Sequence, residues 1–148
     1  MFDKMKLITI FCLTFFYLGI NCQTIRIGLF TENQVKSINL SSFYGSYLLI
    51  SDSLVKEVST KDILDIRIKE GKFMELLLNQ KYYSSPTKIA LIQLEKKNTI
   101  LLQPINSTLK KQSYEGDFEI MVINNHLNIV NSLDRSEERR VGKECTSW

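Results

Sequence analysis

Three carboxylates stand at alternate positions in the segment YEGDFEI, near the carboxyl end of the chain. Glu115, Asp117 and Glu119 would project from one face of a single strand, about 7 Å apart, opposite Tyr114 and Phe118. Like charges at this spacing can raise the pKa of a carboxyl group or bind a cation. Solvated strand faces commonly carry the same pattern, so we favour a structural role for these carboxylates over acid–base chemistry.

The other residues that could carry chemistry are few. His126 is the only histidine and directly follows Asn124-Asn125, so we predict an exposed turn residue. Between residues 23 and 134 there is no cysteine, because the three cysteines are Cys12, Cys22 and Cys145. A metal site needs several nitrogen, sulfur or carboxylate ligands, and a Ser-His-Asp triad needs a placed histidine. We therefore expect no metal, no cofactor and no disulfide framework.

Aromatic side chains offer a different kind of site. Phe43, Tyr44, Tyr47, Tyr82 and Tyr83 fall near predicted turns, where their rings could stack on sugar faces. Packing of hairpins and core explains them equally well, and the sequence alone leaves both alternatives open.

Charge argues against one class of partner. The 148 residues carry 19 basic and 16 acidic side chains, but residues 23–134 hold 13 basic and 12 acidic ones. Nucleic-acid binding requires a clustered basic face, and this near-neutral body provides no such argument.

The amino end, residues 1–22, has the form of a secretory signal peptide. Lys4 and Lys6 precede an uncharged, mostly apolar stretch from Leu7 to Ile20, and cleavage would follow Cys22. A membrane-spanning helix needs about 20 apolar residues, so an uncleaved anchor is the weaker alternative. We expect export to the periplasm, cell envelope or extracellular space.

From Thr24 onward, apolar residues recur with a period of two, which is typical of strands. The pattern predicts three hairpins, in the segments DILDIRIKEGKFMELLLN, KIALIQLEKKNTILLQPI and DFEIMVINNHLNIVNSL. The segment 53–62 fits either a strand and turn or one short helix. No longer stretch carries a helical stripe, so we predict a mainly β fold of antiparallel strands and hairpins in one domain over residues 23–134.

Three segments of this body resemble the domain shared by stage II sporulation protein D and the amidase-enhancer proteins of bacterial cell walls. They are the opening IRIGL, the segment YEGDFEI and the segment LNIVNSL. The family has a Tyr-x-Gly strand that leads into a hairpin ending in Val-Asn-x-Leu. The matching residues here are Tyr114, Gly116, Phe118, Val130, Asn131 and Leu133.

The resemblance implies an exported protein that acts on peptidoglycan, with a fold that is α+β in the intact domain. Family members cleave glycan strands as lytic transglycosylases or regulate cell-wall amidases, so the implied partners are peptidoglycan strands and an amidase. The family's catalytic glutamate follows a Leu-Glu-x-Tyr-Leu element that is missing here. None of Glu137, Glu138 and Glu144 matches it, and no catalytic residue is assigned.

After Asp134 the pattern ends in RSEERRVGKECTSW. Residues 135–145 look like the translation of a sequencing-library adapter, so we expect residues 135–148 to be a non-native tail on an inactive fragment with uncovered apolar strand faces. The rival interpretation is a complete, non-enzymatic β module that binds a glycan or a partner protein at the envelope.

Overall fold

The structure is a computed structural model that describes residues 24–52, 54–105 and 107–134, without the side chains of Ser42 and Phe43. All regular secondary structure in these ranges is β, which confirms the predicted mainly β fold. No helix among these residues is long and apolar enough to span a membrane. The predicted leader (1–22), the predicted tail (135–148) and the helices implied for an intact domain lie outside the described residues.

Twelve strands follow one another along the described chain. They are β1 (Thr24–Leu29), β2 (Ser37–Tyr44), β3 (Tyr47–Ser51), β4 (Leu54–Val58), β5 (Ile63–Lys69), β6 (Phe73–Leu78), β7 (Lys81–Ser84), β8 (Lys88–Gln93), β9 (Thr99–Pro104), β10 (Gln112–Glu115), β11 (Asp117–Ile123) and β12 (His126–Asp134).

The strands form two antiparallel sheets of six strands each. The first sheet has the order β1-β12-β11-β8-β3-β4, and the second has the order β10-β9-β2-β5-β6-β7. Consecutive strands form half of the neighbouring pairs, and the other half, such as β1-β12, β8-β3 and β9-β2, join distant parts of the chain, so the full order could not be inferred from local sequence patterns.

Two of the three predicted hairpins are present. Strands β5 and β6 pair through a turn in which Glu70 and Gly71 have positive φ, and β11 and β12 pair through Asn124 and Asn125, with φ of 50° and 63°. Asparagine and glycine adopt positive φ more readily than most residues, which is why these turns were visible in the sequence. The segment 53–62 contains the strand β4 followed by a turn, not a helix.

The hairpin predicted for KIALIQLEKKNTILLQPI was wrong. Strand β8 belongs to the first sheet, where it pairs with β3 and β11, while β9 belongs to the second sheet and pairs with β2 and β10. Asn98 anchors the connection between them. Its side-chain Nδ2 donates to the backbone oxygen of Ser46 at 2.6 Å, and its backbone carbonyl accepts a hydrogen bond from the Tyr47 hydroxyl at 2.7 Å. The chain therefore crosses between sheets at a point where local patterning resembles a turn.

The inner faces of the two sheets pack into one hydrophobic core. The most deeply buried side chains come from both sheets: Ile38, Leu40, Tyr47, Leu49, Ile66, Met74, Leu76, Ile89, Leu91, Leu102, Phe118 and Ile120. Burial of apolar surface is the main contribution to the stability of such a sandwich, and each Å² buried contributes about 25 cal/mol. The inner strand faces thus cover one another, contrary to our expectation of uncovered apolar faces.

The sandwich is closed at both of its long sides by aromatic contacts. On one side, the Lys56 ammonium of β4 lies 5.2 Å from the centroid of the Tyr83 ring of β7. On the other side, Phe30 and Tyr114 meet edge to face, with ring centroids 6.4 Å apart. These contacts join the first sheet to the second, because each pair takes one residue from each edge.

Candidate functional site

The chain passes from the second sheet to the first at Gly116, between β10 and β11. Glu115 therefore ends a strand of the second sheet, whereas Asp117 and Glu119 lie on the outer face of the first sheet. The single carboxylate-lined strand face considered from the sequence does not exist, because it assumed one unbroken strand through YEGDFEI.

Asn131 holds this crossing in place. Its buried side-chain amide donates to the carbonyl of Glu115 at 2.7 Å and to the carbonyl of Asp117 at 3.2 Å, on either side of Gly116. These two hydrogen bonds hold the backbone on either side of Gly116, where the chain leaves one sheet and enters the next. A hydrogen bond of this kind contributes about 0.5–1.5 kcal/mol. We call Gly116, Asn131 and these two carbonyls the strand crossing.

Glycine is required at the crossing for two reasons. Gly116 has φ of 95°, which side-chain-bearing residues rarely adopt. A Cβ at this position would also lie 2.4 Å from the carbonyl oxygen of Ser132 and 2.9 Å from Cδ2 of Leu133. The two halves of the motif taken from the sequence thus meet in space, and their contact is structural.

The remaining motif residues take ordinary packing positions. Phe118 is buried in the core beside Tyr47, with ring centroids 6.4 Å apart. The Tyr114 hydroxyl donates to Oε1 of Gln112, and partial burial raises the pKa of that hydroxyl. Val130 is half-buried and pairs with Glu119 across the sheet, on its outer face. Tyr114 also lines an open depression of about 310 Å³, together with Phe30, Lys110 and Gln112.

The outer face of the first sheet carries a compact charged group. Glu119 binds Arg26 at 2.6 Å (Nη2 to Oε2) and Lys88 at 3.1 Å (Nζ to Oε1). The hydrogen bond from Lys88 and the two positive charges hold the pKa of Glu119 below its ordinary value. Asp117 accepts the backbone N–H of Gln93 at 2.9 Å. The lowered pKa of Glu119 makes this carboxylate a poor candidate for a proton donor.

Neither a metal centre nor a histidine site is formed by the described residues. No group of three His, Cys, Asp or Glu side chains comes together within the described ranges. His126 directly follows the Asn124-Asn125 turn, but it is the half-buried first residue of β12 and not the predicted exposed turn residue. Its Nδ1 lies 3.1 Å from the carbonyl oxygen of Asn124.

The five aromatic residues singled out from the sequence have different environments. Tyr47 is fully buried and belongs to the core. Tyr83 closes the side of the sandwich under Lys56, and Tyr44 is exposed at the end of β2. Tyr82 is 58% exposed and pairs with Leu77 on the outer face of the second sheet. The side chain of Phe43 lies outside the described part of the chain.

Tyr82 stands at one end of a cross-strand row on that outer face, which contains three polar side chains and Leu77. Cross-strand pairing places Gln103, Asn39, Asp65 and Leu77 in register between β9 and β7, and Tyr82 pairs with Leu77. Five strands separated by about 4.8 Å make the row about 19 Å long. Asn39 Nδ2 donates to Asp65 Oδ1 at 2.8 Å, which orients both side chains.

A second row lies beside the first. Arg67 pairs with Glu75 across β5 and β6, and its Nε lies 2.8 Å from Oε2 of Glu75. A depression of about 450 Å³ opens at this end of the sheet, lined by Lys36, Arg67 and neighbouring residues. We define the polar face as Asn39, Asp65, Arg67, Glu75, Gln103 and Tyr82.

Of these residues, only Tyr82 was predicted from the sequence as a candidate. The others occupy alternate, outward positions in strands whose inward residues are apolar, and that alternation was the available signal. It could not show that β2, β5 and β9 are neighbours, because the pairing joins residues far apart in the chain.

No family model matches this chain, and no curated protein and no solved structure is significantly similar to it.

Proposed function

We propose that this β-sandwich is a non-enzymatic module of an exported envelope protein, and that its polar face binds glycan strands of peptidoglycan. The observation that carries this proposal is the row with the amides of Gln103 and Asn39 and the carboxylate of Asp65 that ends at the exposed ring of Tyr82, with the Arg67 guanidinium in the row beside it. Sugar hydroxyls both donate and accept hydrogen bonds, and this set of side chains offers both kinds of partner.

The exposed ring supplies the apolar part of such a site. One face of a pyranose ring presents C–H groups, which pack on an aromatic ring, and tyrosine does this at low cost in side-chain entropy. Tyr82 is held in orientation by its hydroxyl, which lies 3.1 Å from the hydroxyl of Ser85. A flat, open sheet face suits an extended polymer better than a small molecule, which needs a closed pocket.

The charged group on the first sheet supports this choice of face by contrast. Its cations Arg26 and Lys88 both bind one carboxylate, Glu119, and together they use both of its oxygens. On the polar face, Gln103 is exposed and only part of the hydrogen-bonding capacity of Arg67 is used by Glu75.

A sedimentation assay with purified peptidoglycan tests the proposal. We expect saturable binding by the full-length chain and at least a tenfold weaker affinity in Tyr82→Ala, equivalent to about 1.4 kcal/mol. Tyr83→Ala is the matched control, because the neighbouring tyrosine faces Lys56 instead of the polar face. Equal binding by wild type and Tyr82→Ala, or no binding at all, contradicts the proposal.

A second candidate concerns the protein from which this region derives. We propose that the intact protein acts on peptidoglycan as a member of the stage II sporulation protein D and amidase-enhancer family, with a cell-wall amidase as a further partner. The supporting observation is that Gly116 and Asn131, one from each half of the quoted motif, form one structural contact.

A long sequencing read of the source DNA across the Asp134 codon tests the second candidate. Continuation into Leu-Glu-x-Tyr-Leu and a following glutamate is the expected result, and it would identify a candidate catalytic acid. If Arg-Ser-Glu-Glu-Arg-Arg is encoded in the genome, the family assignment loses its catalytic part and only the binding module remains.

A further inference from the structure

Among the described residues, the outer strands of the two sheets are β1, β4, β7 and β10. The N–H and C=O groups on the outer side of such a strand are templates for pairing with another chain. Three of these strands carry recognised protective features. Strand β4 contains Lys56 and Glu57, β7 is four residues long with a register shift against β6, and β10 is four residues long and follows Lys110-Lys111.

Strand β1 lacks these features. It runs for six residues, Thr24–Leu29, in unbroken register with β12, and it contains neither lysine nor proline. Its one charged residue, Arg26, binds Glu119 of β11, so the guanidinium reaches over β12 and away from the free edge. Gly28 carries no side chain, and Ile27 is 42% exposed although it belongs to the inward-facing set of β1.

We propose that β1 pairs antiparallel with β1 of a second copy of this chain, about a two-fold axis at Ile27. This register places Ile27 against its own copy and Ile25 against Leu29, so that apolar residues meet across the interface. It also places Arg26, whose guanidinium is turned toward Glu119, opposite Gly28, which carries no side chain.

Neighbouring registers are worse for physical reasons. An axis at Arg26 sets two guanidinium groups directly opposite each other, and like charges in that position are destabilising. An axis at Gly28 sets Arg26 opposite Phe30, which has φ of 56° and has already left the strand. The sequence of β1 therefore favours one self-complementary register.

The paired molecule has a single continuous sheet made from both first sheets, twelve strands in total. Because β1 lies in the first sheet and the polar face in the second, pairing leaves the polar faces of both copies free. Contact through one strand buries a small area, so the dimer is weak and depends on protein concentration.

Sedimentation equilibrium on the full-length chain over a wide concentration range tests this inference. We expect a reversible monomer–dimer equilibrium, and Ile27→Lys should raise the dimer dissociation constant at least tenfold. Val55→Lys is the matched control, because Val55 is a 67% exposed β-branched residue on the edge strand β4. Thermal melting followed by circular dichroism checks that both variants are folded.

Three results overturn the inference. The first is a wild-type chain that stays monomeric at the highest concentration reached, which needs no variant to interpret. The second is a dimer that Ile27→Lys leaves intact, and the third is a dimer that Val55→Lys disrupts as strongly.

Discussion

The strand crossing and the polar face both depend on polar side chains in a β-sandwich, but they differ in burial. At the crossing, the buried side-chain amide of Asn131 donates hydrogen bonds to the two backbone carbonyls on either side of Gly116. On the polar face, side chains such as Arg67 and Tyr82 are largely exposed, and their partners are neighbours on the same surface. A buried polar contact specifies the fold, whereas an exposed one is available to a ligand, so substitutions in the two regions should separate stability from binding.

The largest effect is expected at Gly116. Gly116→Ala adds a Cβ 2.4 Å from the Ser132 carbonyl oxygen at a φ of 95°, and strain plus backbone displacement should cost about 3 kcal/mol or more. Urea unfolding curves measure the loss. Gly71→Ala is the control, because Gly71 also has positive φ but its Cβ would meet only Asn125, at 3.3 Å. Equal losses in the two variants would contradict a special role for the crossing.

A smaller but still clear loss of stability is expected at Asn131. Asn131→Ala removes the hydrogen bonds to the carbonyls of Glu115 and Asp117 and opens a small cavity, which should cost about 2–3 kcal/mol. Asn128→Ala, three positions earlier in β12 on the outer face, should stay within about 0.5 kcal/mol of wild type. Chemical denaturation measures the free energy of unfolding of both variants. A value for Asn131→Ala equal to that of wild type would show that the crossing does not stabilise the fold.

On the polar face, substitutions should reduce glycan binding more than they reduce stability. Tyr82→Ala should leave the free energy of unfolding within about 0.5 kcal/mol of wild type, because the ring is mostly exposed. Tyr83→Ala should cost about 0.5–1 kcal/mol, because it removes the cation–π contact with Lys56. Melting curves and peptidoglycan sedimentation on the same samples show both effects. A Tyr82→Ala variant that loses stability and binding together would mean that the two regions are not separable.

The smallest effect is electrostatic. Because Lys88 and Arg26 lower the pKa of Glu119, its ion pairs stabilise the folded state fully at pH values above the ordinary value of 4.5. This contribution is lost as the pH falls through the lowered folded-state pKa. Melting temperatures of wild type and Glu119→Gln should therefore differ slightly at neutral pH and converge in acid or at high salt. A difference that is constant with pH would show that the ion pairs do not stabilise the fold.

The sequence predicted those parts of the fold that depend on neighbours along the chain. Alternating apolar residues revealed the strands, and the residue types at Glu70-Gly71 and Asn124-Asn125 revealed two turns with positive φ. The connection between β8 and β9 carries the same local signals but crosses between sheets, because its strands find better partners elsewhere in the chain. Local patterns specify strand and turn, whereas partner choice is set by the whole core.

The candidate site was predictable only in part for the same reason. Tyr82 was recognisable as an aromatic residue near a turn, but its partners on the polar face come from β2, β5, β6 and β9. The motif pair Gly116 and Asn131 was recognised from the sequence through resemblance. Its physical role, a buried amide supporting a glycine where the chain changes sheets, required the three-dimensional arrangement.

The most direct test of the polar face as a glycan-binding surface is chemical-shift mapping. Solubilised peptidoglycan glycan strands would be titrated into the isotopically labelled full-length chain, and backbone amide shifts followed. We predict that the changes concentrate at Asn39, Asp65, Arg67 and Tyr82, on the outer face of the second sheet. Changes confined to the first sheet around Glu119, or no changes at saturating glycan, would contradict the account.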